Sequence, residues 1–262
     1  MSVTIENLVT SGTFSLDGGT WDVDNNVWIV GNEDECVIID SPHDAAAILN
    51  AVRGRKVTAI LLTHAHNDHI GAAREVADTV GAPIYLHPAD QVLWEQVYPG
   101  TTPENGIADG DVFTVGGATL EAIHTPGHSP GSTCFHLASE NTVFTGDTLF
   151  NGGPGATGRS YSDYPTILTS IREKLLTLPA ETVVRTGHGE NTTITAERET
   201  LASCERPPSC PAGAVPVLAT NQPAHATEPP ALPAKGKESR DSDQTCGFPL
   251  PAHLPDGAAW LR

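Results

Sequence analysis

The chain is poor in cations: 14 Lys and Arg stand against 32 Asp and Glu in 262 residues, a formal net charge of -18. A surface of that sign repels phosphate backbones and anionic lipids, so nucleic acid is not expected as substrate or partner, and neither is a membrane surface. No stretch approaches the roughly 18 to 20 consecutive apolar residues of a membrane-spanning helix. The opening "MSVTIENLVTSGTF" has no basic segment leading into an apolar one, so no secretory leader is expected and the reading is a cytoplasmic protein. The five cysteines, Cys36, Cys134, Cys204, Cys210 and Cys246, are odd in number and form no CxxC pair. That pattern suggests neither a disulfide framework nor a thiolate zinc site. No GxGxxG opens a helix directly after a strand, and no P-loop is spelled, so nucleotide binding has no motif behind it.

What is present divides in two near residue 201. Of the 21 prolines, 11 fall in the last 62 residues, in runs such as "CERPPSCPAGAVP", where neither helical nor strand periodicity survives. Such a segment buries too little apolar surface to offset its ordering entropy, so residues 201–262 are expected to be a disordered tail and residues 1–200 one folded domain. In that domain "NNVWIVG", "ECVIID", "VTAILLT", "APIYLH", "ATLEAIHT", "STCFHLA", "NTVFTGD" and "ETVVRTGH" read as short strands bounded by turn residues. "DAAAILNAVRG", "GAAREVADTVG" and "YPTILTSIREKLLTL" carry apolar residues at helical spacing. Strands outnumber helices and several follow one another directly, which predicts an α/β fold with two sheets in an αββα sandwich rather than a Rossmann sheet.

The chemistry concentrates in "HAHNDHIG", His64 to Gly71, which follows the buried strand "VTAILLT". In an extended segment His64, His66 and Asp68 share one side and His69 points elsewhere. One ion would use His64 and His66, leaving Asp68 and His69 for a second. Imidazole with carboxylate suits Zn, Fe or Mn better than Ca or Mg. Left unpartnered in the interior, such groups would cost about 1 to 3 kcal/mol each. Three later strand ends repeat the pattern of glycine then ligand-type residue: His128 in "HTPGHSPGS", Asp147 in "FTGDTLF" and His188 in "RTGHGE". His43, His87, His124 and His136 match no such pattern and are read as structural or surface residues, while His225 and His253 belong to the tail.

Taken in order, "THAHNDHIG", "TPGHSPGS", "FTGDTLF" and "TGHGE" resemble the metallo-β-lactamase superfamily, over about residues 10–195. The resemblance implies that one metal takes His64, His66 and His128, that a second takes Asp68, His69 and His188, and that Asp147 bridges both. It also places Asp40, at the end of "CVIID", behind the histidines as their orienting group. Two divalent ions are implied, zinc first and iron or manganese as alternatives. They would hold a bridging hydroxide as nucleophile, with Asp68 and Asp147 as the catalytic carboxylates. Ser129, Ser132 and Cys134 are then not needed as nucleophiles.

Within the superfamily the stretch "GDTLF…GGPGATGRSYSDYP" resembles the glyoxalase II group. The implied activity is a metal-dependent thioesterase on acyl thioesters of a small thiol of the glutathione or mycothiol type; its thiolate leaves readily and asks little of a general acid. Arg159, in the glycine-rich turn, is the candidate for gripping a substrate carboxylate. Tyr161 and Tyr164 are candidates for the mouth of the site. A mononuclear iron persulfide dioxygenase and a lactone hydrolase of the same fold are the alternatives, and oligomeric state is left open. Glyoxalase II proper continues into a helical C-terminal domain, whereas here the chain after "NTTITAERET" turns Pro-rich; short bacterial relatives imply a final amphipathic helix after that point, which "LASCERPPSCPAG" does not supply.

Overall fold

In the computed structural model, residues 3–204 are described. Two long strands, β1 (Thr4–Leu16) and β2 (Gly19–Gly31), form an antiparallel hairpin whose turn residues Asp17 and Gly18 both have positive φ. That conformation matches the twist of the flanking strands in a two-residue hairpin turn. The sheet continues through β3 (Glu35–Ile39), β4 (Lys56–Leu61), β5 (Ile84–Leu86) and β6 (Asn105–Gly106), with β3 to β6 parallel to one another. Helices α1 (Ala45–Val52), α2 (Asn67–Ile70), α3 (Ala73–Val80) and α4 (Gln91–Val97) lie along this half of the chain. Asp44 caps α1 by accepting from Ala47 N, and the left-handed Arg53 ends it.

The second sheet runs through β7 (Val112–Val115), β8 (Ala118–His124), β9 (Thr133–Leu137) and β10 (Thr142–Gly146) as an antiparallel meander. A small ribbon, β11 (Leu149–Phe150) with β12 (Gly153–Pro154), follows. After α5 (Tyr164–Ser170), prolonged by a π-helical turn over Ile171–Leu175, β13 (Val183–Thr186) joins β10 in parallel and pairs with β14 (Thr192–Thr193). Helix α6 (Ile194–Cys204) closes the described part.

Three apolar clusters show how the layers stack. Trp28, Val37, Ile39 and Leu61 meet Leu120, Phe135 and Phe144 between the sheets. Ile29, Ile38 and Ile60, the alternate residues of the same strands, pack outward on Ile48, Val52 and Val76 of α1 and α3. On the far side Cys134, Val143 and Val184 receive Ile167, Ile171 and Ile194. Strands buried on both faces read as continuous apolar runs, which is why "CVIID" and "AILL" carry no polar alternation. The architecture is therefore the expected αββα sandwich.

Two expectations change. The boundary drawn at residue 200 falls inside α6, whose Leu201 is buried in the third cluster, so "ITAERETLASC" does form a closing helix. And the window 64–69 is not extended throughout: His66 is the N-cap of α2, so Asp68 and His69 sit on a helical turn rather than on alternating sides of a strand. The Pro-rich segment from residue 205 onward, with Cys210, Cys246, His225 and His253, lies outside the described residues.

Candidate metal centre

Every chemically loaded side chain leaves a strand end along one edge of the sandwich. The segment after β4 carries His64 to His69, that after β8 carries His128, and Asp147 and His188 directly follow the paired ends of β10 and β13. The glycine before each of the last three is required by space. A Cβ on Gly127 would come 2.2 Å from Ile167 N, one on Gly146 2.4 Å from Thr63 Oγ1, and one on Gly187 2.3 Å from Asp147 Oδ1.

The side chains converge as two triads. His64 Nε2 and His128 Nε2 each lie 3.0 Å from His66 Nδ1. His69 Nε2 lies 3.2 Å from His188 Nε2, and Asp68 Oδ2 faces them at 3.6 and 3.3 Å. Asp147 stands between: its Oδ1 is 3.3 Å from His69 Nε2, and its Oδ2 is 3.4 Å from His188 Nε2 and 3.6 Å from His128 Nε2. A proton on one of three imidazole nitrogens pointing at one another leaves lone pairs unsatisfied, whereas a cation among them would satisfy all three. Asp68 Oδ1 and Asp147 Oδ1 are buried without hydrogen-bond partners, which fits the same conclusion. The seven expected ligands are thus brought together, as the two triads and a third group of His64, His69 and Asp147, a set suited to metal ions.

Four of the five rings are fixed from behind through the nitrogen that faces away. His69 Nδ1 meets Asp40 Oδ2 at 2.9 Å, His128 Nδ1 the carbonyl of Ala156 at 2.8 Å, and His188 Nδ1 the carbonyl of Asp24 at 2.7 Å. His64 Nδ1 faces Thr63 Oγ1 at 3.1 Å, and that hydroxyl in turn donates to Asp40 Oδ2 at 2.8 Å. A carbonyl or carboxylate acceptor keeps the proton on the outward nitrogen and leaves the inward lone pair for a metal. Asp40, which also accepts from Thr63 N at 2.8 Å, therefore orients a ring in each triad, the role the resemblance gave it.

Electrostatics differ between the triads. Burial, with the neighbouring imidazoles, pushes His66 down to about 3 and His64 well below the usual histidine range, so both rings are neutral donors. Burial also opposes charge on His188, but Asp147 and Asp68 carry it up to about 10; His69 is raised beside the same carboxylates. Against the same burial penalty, Asp68 is lowered by His69 and His188, and Asp147 by His188 and His69.

Two concavities adjoin His66. A narrow slot is lined by Phe14, Leu16, His66, His128 and Arg159, and a groove of about 320 Å³ by Leu16, His66, Asn67, Leu93 and Val97. Arg159 stacks on the Trp21 ring at 3.9 Å, and its guanidinium has no hydrogen-bond or ion-pair partner among the described residues. Tyr161 and Tyr164 are exposed and line neither concavity.

Three residues had not stood out. Buried Asp90, in "LHPADQ", accepts from Ala65 N, Ser129 Oγ and Gly131 N, tying the window of His64 and His66 to the loop of His128. Its signal was only a turn-like context. Gly127 to Gly131, "GHSPG", has the spelling of a serine nucleophile elbow, yet Ser129 Oγ is buried in its bond to Asp90 and faces no cleft. Asn25 also reaches the second triad, and His43 bonds Asn25. Cys36 and Cys134 are buried, the latter with its thiol pushed up to about 11 by that burial.

Fold and site together define a metallo-hydrolase scaffold with a His/Asp metal pocket at the strand ends. The model of the metallo-beta-lactamase superfamily matches residues 20–188, and the chain belongs to that superfamily. It is 38% identical over 182 residues to the probable metallo-hydrolase YqgX of Bacillus subtilis, covering 64% of this chain and 86% of that one. It is 32% identical over 183 residues to the hydroxyacylglutathione hydrolase GloC of Haemophilus influenzae, covering 64% and 86%. Among solved structures, the BLEG-1 B3 metallo-beta-lactamase superimposes with a TM-score of 0.62 at 33% identity, covering 72% of this chain and 97% of the other. TTHA1623 in a di-iron-bound form gives 0.62 at 31% identity, covering 73% and 98%. No helix among the described residues is long and apolar enough to cross a membrane.

Proposed function

We propose that the protein is a dinuclear metal-dependent hydrolase, a thioesterase cleaving acyl thioesters of a low-molecular-weight thiol of the glutathione or mycothiol type. The observation that carries this reading is the pair of triads together with Asp147, which joins one ring of each, His64 and His69, in a third group; ligand atoms within each group lie within 4.8 Å of one another. His64, His66 and His128 would hold the first ion, Asp68, His69 and His188 the second, and Asp147 would serve both; zinc is the favoured metal, with iron or manganese as alternatives. When bound, such ions would supply an acidified water near neutral pH and Lewis-acid polarisation of a carbonyl. The chain's own part is to hold Asp68 and Asp147 ionised beside the reacting centre, to keep the rings in the ligating tautomer, and to seat the substrate.

Neither concavity beside His66 is lined by a carboxyl group that could protonate a poor leaving group. That favours a thioester, whose thiolate departs unaided, over an amide. Arg159, unpaired and held flat on Trp21, binds a substrate carboxylate through two parallel N–H bonds. The likeness to GloC supports the same substrate class.

The test is a panel on the metal-loaded full-length chain: acyl thioesters of glutathione and mycothiol, an acyl lactone, a β-lactam, and a thiol persulfide followed by oxygen uptake. Fastest turnover on a thioester is expected, abolished by chelation. Oxygen uptake with one iron per chain, or preference for the lactone or β-lactam, overturns the thioesterase assignment.

A further inference from the structure

The triad of Asp68, His69 and His188 has a further side chain against it. Asn25, in β2, is fully buried, an unfavourable place for an amide in the middle of a strand unless its polar atoms are used. They are. Asn25 Nδ2 lies 3.1 Å from Asp68 Oδ2, 3.3 Å from His69 Nε2 and 3.4 Å from His188 Nε2. Its Oδ1 accepts from His43 Nε2 at 2.8 Å.

His43 is itself held in place. Its φ of 45° is in the left-handed region, which a non-glycine residue adopts at a cost of about 1 to 3 kcal/mol unless its surroundings impose it. Its ring fills the space beside Gly12, where a Cβ would come 2.2 Å from His43 Nδ1. The strained backbone, the missing side chain at Gly12 and the buried amide thus all serve one arrangement: an imidazole aimed at Asn25, and Asn25 aimed at the donors of the second triad.

We propose that Asn25, locked by His43, is a positioning residue that sets the donor geometry and hence the affinity of the second metal half-site. The proposal rests on the two-ion reading. Apart from the rings of its own triad, Asn25 is the one hydrogen-bond donor given to the Asp68 carboxylate among the described residues, and Asp68 Oδ1 has no partner at all. Without the amide, only its ion pairs with the two rings would hold this carboxylate. With it, an amide nitrogen donates to Asp68 Oδ2 while lying beside both ring nitrogens, which holds the carboxylate next to them. Outer partners that orient metal ligands are worth roughly ten- to a hundredfold in metal affinity, and the effect here falls on one half-site, because among the described residues the side-chain hydrogen bonds of Asn25 reach Asp68, His69, His188 and His43 and none of His64, His66 and His128.

The test is a titration of the chelator-stripped, full-length chain with cobalt(II), read by visible absorption, together with zinc competition against a chromophoric chelator. Wild type is expected to take up two ions. Asn25→Leu is expected to bind the first with unchanged affinity and the second roughly ten- to a hundredfold more weakly. Asn25→Asp keeps the shape but sets a carboxylate oxygen against Asp68 Oδ2, and is expected to weaken the second ion as well. His43→Asn, a residue tolerant of the left-handed backbone, should weaken the same ion to a lesser degree and add nothing to Asn25→Leu. An Asn25→Leu protein that binds both ions like wild type, one that loses both equally, or an Asn25→Asp protein that binds the second ion more tightly overturns the proposal while leaving the two-ion reading intact. A wild-type chain that takes up a single ion overturns both.

Discussion

Replacing Asp40 by Asn tests the tautomer argument at both triads with one atom. The carboxylate accepts three hydrogen bonds, from Thr63 N, Thr63 Oγ1 and His69 Nδ1. In D40N the amide oxygen can keep the bond from Thr63 N, but the amide nitrogen then meets two donors. His69 can relieve its clash only by moving its proton to Nε2, the nitrogen that faces Asp68 and Asp147. Thr63 can relieve its own by accepting from the amide and turning its hydroxyl proton toward His64 Nδ1, which drives the His64 proton to Nε2 as well. Before it can ligate, the inverted His69 must give back a charge-assisted hydrogen bond to a carboxylate, about 1.5 to 3 kcal/mol, and the inverted His64 a neutral one to His66 Nδ1, about 0.5 to 1.5 kcal/mol. The expected loss is therefore roughly ten- to a hundredfold in affinity for the second ion and smaller for the first, the same wrong-tautomer effect that an Asp to Asn change produces in a serine protease triad. Since an amide tolerates the left-handed backbone at Asp40 (φ 60°), the fold is expected to survive, as circular dichroism would show. Thr63→Val is the companion: it severs the relay to His64 but leaves His69 on Asp40, so only the first ion weakens. Chelator competition measures both. D40N holding both ions within about twofold of wild type, where the half-site penalty would be tenfold or more, refutes the reasoning.

Further predictions follow from the same geometry. Gly187→Ala places a methyl 2.3 Å from Asp147 Oδ1 and 2.9 Å from His69 Cε1. The overpacking costs about 1 to 3 kcal/mol of stability, and elemental analysis should show depleted metal; full occupancy would contradict the crowding. Arg159→Ala should raise KM for a carboxylate-bearing thioester by roughly ten- to a hundredfold, a lost charge-assisted bond, with kcat little changed and no effect on a neutral thioester. An equal effect on both substrates removes Arg159 from carboxylate binding. Burial, and then its stacked neighbour His124, lower His87 from 6.5 to about 4. The unfolded chain therefore takes up a proton that the folded chain refuses between those values, and stability complete above pH 6.5 is lost as pH falls toward 4. Protonation also removes the Nδ1 lone pair that accepts from Ala89 N. After discounting for a half-exposed ring the loss is about 1 kcal/mol; His87→Asn should flatten that part of the melting-temperature profile, and an unchanged profile would contradict the assignment.

The site was legible where ligand-type residues follow apolar strands, because the spacing of His64, His66, Asp68 and His69 and the glycines before His128, Asp147 and His188 are constraints that ordinary turns do not impose. Pairing them into two groups needed the family resemblance, since no local rule says which strand ends meet. Strand β1 was not legible: "TIENLVTSGTFSL" is largely polar and earns its place by thirteen register pairs with β2 and by Asn67, whose side chain bonds Ser15 N and the Thr13 carbonyl. Helix α4 was missed because seven residues show too little of a helical period, although its Trp94 is among the largest buried side chains. Asn25, His43 and Asp90 were overlooked for a common reason. They act across long sequence separations, Asn25 on the ligands, His43 on Asn25 and Asp90 on the loops that carry ligands, and an amide, an imidazole or a carboxylate reads as a turn or surface residue until its partner is known.

The central claim is that the pocket holds two ions through Asp147. Equilibrium dialysis of the chelator-stripped, full-length chain against zinc, with bound metal counted per chain, tests it most directly. Wild type is expected to reach two ions per chain, and Asp147→Ala to weaken both. One ion per chain, or two that are indifferent to Asp147, would contradict the account.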